Sequence, residues 1–381
     1  MKIEQLQLTG SHGWVLRQPE NLKDTAHLVL VFGETSTLKA GRHLDELRAM
    51  YPKARMFGCS TAGEICGVRV TDDTLVATAV SFGTSRVEIA SESIHNIEES
   101  RSVGSELAER LDKRGLVHAF VLSDGLKVNG SALVEGLLQS LPAGVTITGG
   151  LSGDKDRFQE TLVVCDGGPE SNRVGILGLY GEHLRVGYGS SGGWDPFGPE
   201  RLVTRSQGNI LYELDGKSSL NLYKSYLGEH AQGLPATALL FPLSVRSAER
   251  PSRLVRTVLA VDEANQSMVF AGDVPEGSYA QLMKANINHL IDGATEAAKM
   301  SLSSSDGTLP ELAILISCVG RRMVLKQRVE EEVESVQDIL GDQSVLAGFY
   351  SYGEMSPSSP GGLSELHNQT MTITTLAEAD L

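Results

Sequence analysis

A mixed α/β fold, with two lobes of partly parallel sheets flanked by helices and built from duplicated β-α-β units, follows from three features of the sequence. Short apolar runs rich in β-branched residues alternate with stretches of helical spacing, the alternation that produces parallel sheets. The order strand, helix, strand, Gly-rich turn occurs three times along the chain. The chain is 381 residues long, more than one compact core ordinarily organises, so two domains are expected.

The first unit runs from the apolar strand HLVLVFG (27 to 33) through RHLDELRAMYP (42 to 52), where Leu44, Leu47 and Met50 share a helical face, to ARMFG (54 to 58). It ends in GCSTAGEI, residues 58 to 65. The second comprises HAFVLSD (118 to 124), SALVEGLLQSL (131 to 141) and VTITGG (145 to 150), and ends in GGLSGD, residues 149 to 154. The third leads from ELAILISC (311 to 318) through VEEEVESVQDILG (329 to 341) to SVLAGFYSYGEM (344 to 355). Aligning GCSTAGEI with GFYSYGEM pairs Gly58 with Gly348, Gly63 with Gly353 and Glu64 with Glu354. Parallel neighbours in such units are joined by right-handed crossovers, and ligands gather beyond the carboxyl ends of the strands. The three turns are therefore expected at corresponding strand ends.

Between the units lie β-rich stretches with Gly, Asn and Pro turns: 73 to 83, 160 to 168, 173 to 189, 237 to 245 and 253 to 272. They predict hairpins and antiparallel pairs, hence mixed sheets. SYAQLMKANINHLIDGATEAAKM (278 to 300) is read as one helix with Tyr279, Met283, Leu290 and Ala294 on a face. The Gly/Pro-dense SGGWDPFGP (191 to 199) and the residues after it form the expected link, with a domain boundary near residue 216, giving domains 1 to 216 and 217 to 381.

Composition narrows the function. Hydrophobic residues make up 41% and charged residues 21%, the proportions of an ordered globular chain. A net charge of -15 repels phosphate backbones and anionic lipid, so no nucleic-acid or membrane partner is expected, apart from a local basic pair at Arg321 and Arg322. No apolar window is long enough for a membrane helix and the amino end lacks a signal core, so a cytoplasmic protein is expected. The four cysteines are too few and scattered for a disulfide framework or a zinc site.

GYGSSG (187 to 192) matches a dinucleotide fingerprint but leads into GWDPFGP rather than a helix, which removes its meaning. In GCSTAGE the small residues admit close backbone approach, Ser60 and Thr61 offer hydrogen bonds, and Glu64 would receive a cation. The same turn is equally readable as a strand ending whose glutamate is solvated or caps a helix. Cys59 followed by hydroxyls admits a nucleophile with His367 as base, or a buried thiol. His289 falls at the edge of an apolar helix face, the other seven histidines show no ligand-pair spacing, and VEEEVES reads as a solvated helix face.

GCSTAGEI, GGLSGD, YELDGKSSLNLYKSYLG (212 to 228), LLFPLSV, FAGDVPEGSYAQLMKANINHLIDGA (270 to 294), SCVGRR (317 to 322), GFYSYGEMSP and LHNQT together resemble the FIST proteins, from about residue 25 onward. The resemblance implies paired amino- and carboxyl-terminal FIST domains and a sensory role in signal transduction, with a small ligand such as an amino acid. At this stand-alone length the chain also looks like the NosP group, haem-containing nitric oxide sensors that act on histidine kinases or cyclic-di-GMP enzymes in two-component signalling. Without an output domain in the sequence, the signal is expected to pass by contact with a partner protein.

The resulting expectation is a non-enzymatic sensor whose pocket lies between the domains, lined by the GCSTAGE and GFYSYGE turns. Its candidate ligand-binding residues are Cys59, Ser60, Thr61, Gly63, Glu64, Gly149, Gly150, Ser152, Asp154, Glu354 and His367. The NosP likeness implies a b-type haem held by His367, or else by His289. Nitric oxide would then weaken the iron–histidine bond and shift the 329 to 341 helix against a kinase. The alternatives are a cysteine or serine hydrolase using Cys59 or Ser60 with His367, and an amino-acid-type sensor without haem.

Overall fold

The apolar runs pair as their patterns dictate. In the computed structural model, which describes residues 1–10, 13–247 and 253–379, each repeated unit contributes two parallel strands. They are Leu28–Gly33 with Arg55–Ser60, Leu116–Ser123 with Thr146–Leu151, and Leu312–Cys318 with Val345–Ser351. The connecting helices Arg42–Met50, Gly130–Ser140 and Val329–Leu340 bury the apolar stripe that their spacing predicts, including Leu44 and Leu47 in the first, Leu133 and Leu137 in the second, and Val333 and Val336 in the third.

The strands that come after the Gly-rich turns join the units. The strand after the first turn, Glu64–Cys66, runs antiparallel to Val345–Ser351 of the third unit. Val163–Cys165, after the second turn, pairs with Arg55–Ser60 of the first, and Gly353–Pro357, after the third, pairs with Thr146–Leu151 of the second. Each unit thus hands a strand to another and the exchange closes into a ring. A return strand, Leu75–Ser81, Arg173–Tyr180 or Met371–Glu378, lies antiparallel to the first strand of each unit. The outcome is three mixed sheets around a shared apolar centre, where Phe32, Phe57, Phe120, Ile316 and Phe349 are buried and the rings of Phe32 and Phe349 lie 4.8 Å apart.

One glycine per unit makes this geometry possible. A Cβ on Gly58, Gly149 or Gly348 would stand 1.9 Å from the carbonyl oxygen of Val31, Val121 or Leu315 on the neighbouring parallel strand. Only glycine permits that approach.

Residues 195 to 284 form a fourth, wholly antiparallel sheet with the helix Ser219–Leu227 packed on it and its own core around Leu211, Tyr223, Met268 and Phe270. Strands on both sides of residue 216 share sheets, as where Ile210–Leu214 pairs with Ser267–Phe270.

Several local readings are corrected. The single helix expected over 278 to 300 is a strand, Tyr279–Lys284, followed by the helix Ile287–Ser304. Ala280 and Leu282 alternate inward with Tyr279 and Gln281 outward, a period of two that coincides with helical spacing over so short a run. Ala236–Leu240, read with the β-rich stretch from 237, forms a 3₁₀ turn before the strand Leu243–Arg246. Glu332, expected on a solvated face, is fully buried: its carboxylate pairs with Arg321 at 2.7 Å and accepts hydrogen bonds from Tyr350 and Ser317. Arg321 and Arg322 form no basic patch, because Arg321 is buried in that pair and Arg322 binds Asp72.

Candidate functional site

The three Gly-rich turns do meet at one end of the ring. Gly153 N–H donates to the Ser60 carbonyl, Ala62 N–H to that of Tyr350, Tyr350 N–H to that of Gly63, and Gly150 lies opposite Glu354. Glu64 and Glu354 are held in the same manner. Glu64 accepts from the Thr61 hydroxyl at 2.5 Å and from the hydroxyl and amide of Thr74, while Glu354 accepts from the Ser351 hydroxyl at 2.6 Å and from the hydroxyl and amide of Thr370. Burial pushes the Glu64 carboxyl up to about 7 and the Glu354 carboxyl to about 8, against the lowering effect of those hydrogen bonds.

The remaining predicted site residues serve contacts within the protein. Ser60 Oγ accepts from Leu162 N–H, and Ser152 Oγ donates to the Ser123 carbonyl. Asp154 accepts from the backbone N–H groups of Phe158, Gln159 and Glu160 and from the Tyr352 hydroxyl. Gly149 makes the close strand approach to Val121. The space a Cβ would need at Gly150 is taken by Ile316, and at Gly63 by the Arg322 guanidinium, 2.6 Å away. Cys59 is fully buried and its thiol is raised strongly by burial, with Ser152 beside it. His367 is buried on the strand opposite Glu354, its Nε2 donating to the Ser356 carbonyl at 2.9 Å. Neither Cys59 nor Ser60 shares a hydrogen bond with His367 among the described residues, so a nucleophile–base pair has no geometric support.

A cavity of about 250 Å³ opens beside these turns, between the ring and the antiparallel sheet. Gly125, Leu151, Val319 and Tyr352 form its floor at the carboxyl ends of the second and third units' strands. Asn209, Thr257, Leu259 and Phe270 form the facing wall. Three large apolar side chains left exposed by the fold, Ile97, Phe158 and Leu259 at 44%, 47% and 47%, all stand on its lining. Phe158 adopts a left-handed φ of 50° and stacks on Tyr352 with ring centroids 4.4 Å apart. A bulky residue in that conformation is strained, and such strain concentrates at functional sites.

Among the described residues, polar groups in the same region lack partners. The Thr257 hydroxyl is buried on the lining without a hydrogen bond. Behind Gly320, also on the lining, both ends of the buried Gln369 amide are unpaired, and Gln369 has a φ of 63°. An unpaired buried polar group is costly unless a ligand or water answers it. The cavity therefore suits a small, mainly apolar molecule with one or two hydrogen-bonding groups.

Sequence reading missed Phe158, Thr257 and Gln369. Gln369 and Tyr352 do lie inside the motifs LHNQT and GFYSYGEM, but nothing local marks Phe158 or Thr257.

The residues present do not fit the expected haem. His367 spends its Nε2 on a carbonyl and lines no described cavity. His289 does donate from Nδ1 to Asp195 at 2.6 Å, the arrangement that orients a metal-binding imidazole, but its side chain is 52% exposed and borders no described cavity. Of the other histidines, His118 is buried between the Thr146 and Thr148 hydroxyls and His12 lies outside the described residues. No group of three or more His, Cys, Asp and Glu suited to a metal ion occurs among the described residues.

Residues 27–217 match the family model of the FIST N domain and residues 219–357 that of the FIST C domain. An uncharacterized protein of Methanocaldococcus jannaschii, MJ1623, is 24% identical over 336 residues, 81% of this chain, which spans 62% of that protein's length. Among solved structures, a chorismatase gives a TM-score of 0.34 at 10% identity, covering 99% of this chain and 98% of its own. A cyanuric acid hydrolase from A. caulinodans gives 0.18 at 11%, covering 78% and 100%. At such scores the likeness supports no conclusion about fold or chemistry.

Proposed function

The chain belongs to the FIST family, and from that premise we propose that it is a sensory protein whose ligand occupies the cavity between the ring and the antiparallel sheet. FIST domains are associated with sensing and signal transduction. The observation that carries the site is the coincidence, around one cavity, of three exposed apolar side chains, a strained Phe158 and the unpaired Thr257 hydroxyl. The ligand is a small organic molecule with an apolar body and at least one hydrogen-bonding group.

Transmission follows from the same geometry. The cavity's walls come from two separately cored parts, so a ligand that bridges Tyr352 and Thr257 favours one arrangement of the antiparallel sheet over another. A signalling protein such as a histidine kinase would read that arrangement by contact, in the cytosol. Among the described residues, no helix is long and apolar enough to cross a membrane. Haem is not part of this reading, because neither His367 nor His289 lines any of the described cavities; a Soret band in protein expressed with haem would reinstate it.

The test is ligand-observed NMR with a library of small aromatic and amide fragments. Fragments should bind the wild-type protein and lose binding in Leu126→Trp, which fills the cavity from a residue outside the three turns. Undiminished binding in a folded Leu126→Trp protein places the site elsewhere.

A further inference from the structure

Arg256 precedes Thr257 in sequence, and the two side chains serve different cavities. Thr257 lines the one already described, whereas Arg256 lines a second, of about 320 Å³, between the helix Gly130–Ser140, the hairpin strand Ser364–His367 and the antiparallel sheet. Arg256 is only 4% exposed. Its Nε donates to the Asp273 carbonyl at 3.0 Å and its Nη1 to that of Leu366 at 2.9 Å. Among the described residues, Nη2 makes no hydrogen bond and no carboxylate lies within ion-pairing distance of the guanidinium. Burial lowers its ionisation to about 10, which leaves it charged at neutral pH. The Asp273 and Glu365 carboxylates act on it from beyond ion-pairing distance, and a buried cation with no direct ion pair is expensive; here it borders an open space.

Two further features of the same space favour an anion. Ser131 lines it, its hydroxyl buried and, among the described residues, without a partner. Ser131 also stands in the first turn of an eleven-residue helix, whose amino end carries partial positive charge. Val134, Leu138 and Leu254 supply an apolar wall. Three carboxylates limit the charge the site tolerates. Asp273 is held by Asn129, Glu135 by Arg101, and Glu365 by Ser358, and all three line the cavity. They repel any anion, and a doubly charged phosphate about twice as strongly as a single carboxylate, so only a monoanion in direct contact with Arg256 is favoured.

We propose that this second cavity binds a small organic monocarboxylate, its carboxylate against Arg256 Nη2 and the Ser131 hydroxyl and its apolar body along Val134, Leu138 and Leu254. The site is separate from the sensory cavity, and Arg256 lies at the partition: a Cβ on Gly272, which lines the first cavity, would stand 3.0 Å from Arg256 Nε.

Benzoate is the probe, with inorganic phosphate and benzyl alcohol as comparisons, titrated into the full chain by calorimetry up to about 10 mM, a range that includes weak, specific binding of so small a ligand. Saturable binding of benzoate that exceeds both comparisons is expected. Ser131→Val should weaken it about tenfold, as loss of a hydrogen bond to a charged group does. Leu138→Trp should abolish it, and Leu126→Trp in the first cavity should leave it intact. Arg256→Gln should also abolish it; because Arg256 ties two carbonyls, that variant is read only if it folds, and the other two decide otherwise. No saturation with benzoate, phosphate binding more tightly, or benzoate binding unchanged in both Ser131→Val and Leu138→Trp overturns the proposal.

Discussion

The turns at residues 58 to 65 and 348 to 355 use one backbone device for two ends. In each, a glutamate is buried under a hydroxyl three residues earlier and the hydroxyl and amide of a threonine on a later segment. What covers the device differs. Over the first, Arg322 reaches across from the third unit, donates to the Ala62 carbonyl at 2.6 Å and to Asp72, and lies where a Gly63 Cβ would be. The second carries Tyr352, which stacks on Phe158, bonds Asp154 and forms cavity floor. A duplicated structural motif is thus sealed at one position and borders an open cavity at the other. Sequence alignment of the two turns shows their likeness and hides that division of labour.

The largest contrast should come from the glycines. Gly63 has a φ of 132° beneath the guanidinium, whereas Gly353 has an ordinary φ with the methyls of Leu151 and Leu366 at 3.0 and 3.3 Å from a built Cβ. Gly63→Val is expected to cost about 3 kcal/mol or more from forbidden backbone and displaced Arg322, and Gly353→Val about 1 to 2 kcal/mol from overpacking. Urea denaturation of the two variants measures both. Equal losses would mean that the two turns are not sealed differently.

Next in size is the pH dependence. Both glutamates have folded-state values above the ordinary 4.5, so the folded protein holds protons that the unfolded chain releases. Their stabilisation is complete below about 4.5 and is lost as pH rises through about 7 for Glu64 and about 8 for Glu354, on the order of a few kcal/mol for each. His118, lowered by burial from 6.5 to about 3, acts in the opposite sense but only below 6.5. Stability measured from pH 6.5 to 8 should therefore fall. Glu64→Gln should flatten the lower part of that slope and Glu354→Gln the upper part. A flat wild-type profile in this range would show that both carboxyls ionise normally.

The smallest effect separates covering from binding. Arg322→Ala should cost about 1 to 2 kcal/mol of stability and leave fragment binding unchanged. Tyr352→Phe should cost about 1 kcal/mol or less, since Asp154 keeps three backbone donors, yet weaken fragment binding. A reversed pattern in the NMR titration would exchange the roles given to the two turns.

Much of the architecture was legible in sequence because it rests on contiguous patterns. The three strand–helix–strand runs are local in periodicity, and Gly58 and Gly348 already pointed to equivalent positions. Gly149 completes the set, yet its neighbours offer no eight-residue match, so only the shared approach to Val31, Val121 and Leu315 reveals it. The strand at Tyr279–Lys284 was hidden because six residues do not separate a period of two from one of 3.6. Glu332 was misread because a charged run gives no sign of which member will meet Arg321.

The sequence by itself determined the mixed α/β class, the repeated units, the turns at their ends and the family likeness, all of which follow from hydrophobic periodicity and turn chemistry over short spans. Only the tertiary structure decided that the strand after each turn belongs to another unit, that Arg322 closes a turn 260 residues away in sequence, and that Thr257 and Arg256 face separate cavities. The reason is physical: whether a polar group is satisfied, or a glycine's open side filled, depends on what the closed ring brings beside it. Neighbours in sequence set the conformation of each element but not the partner that its surface meets.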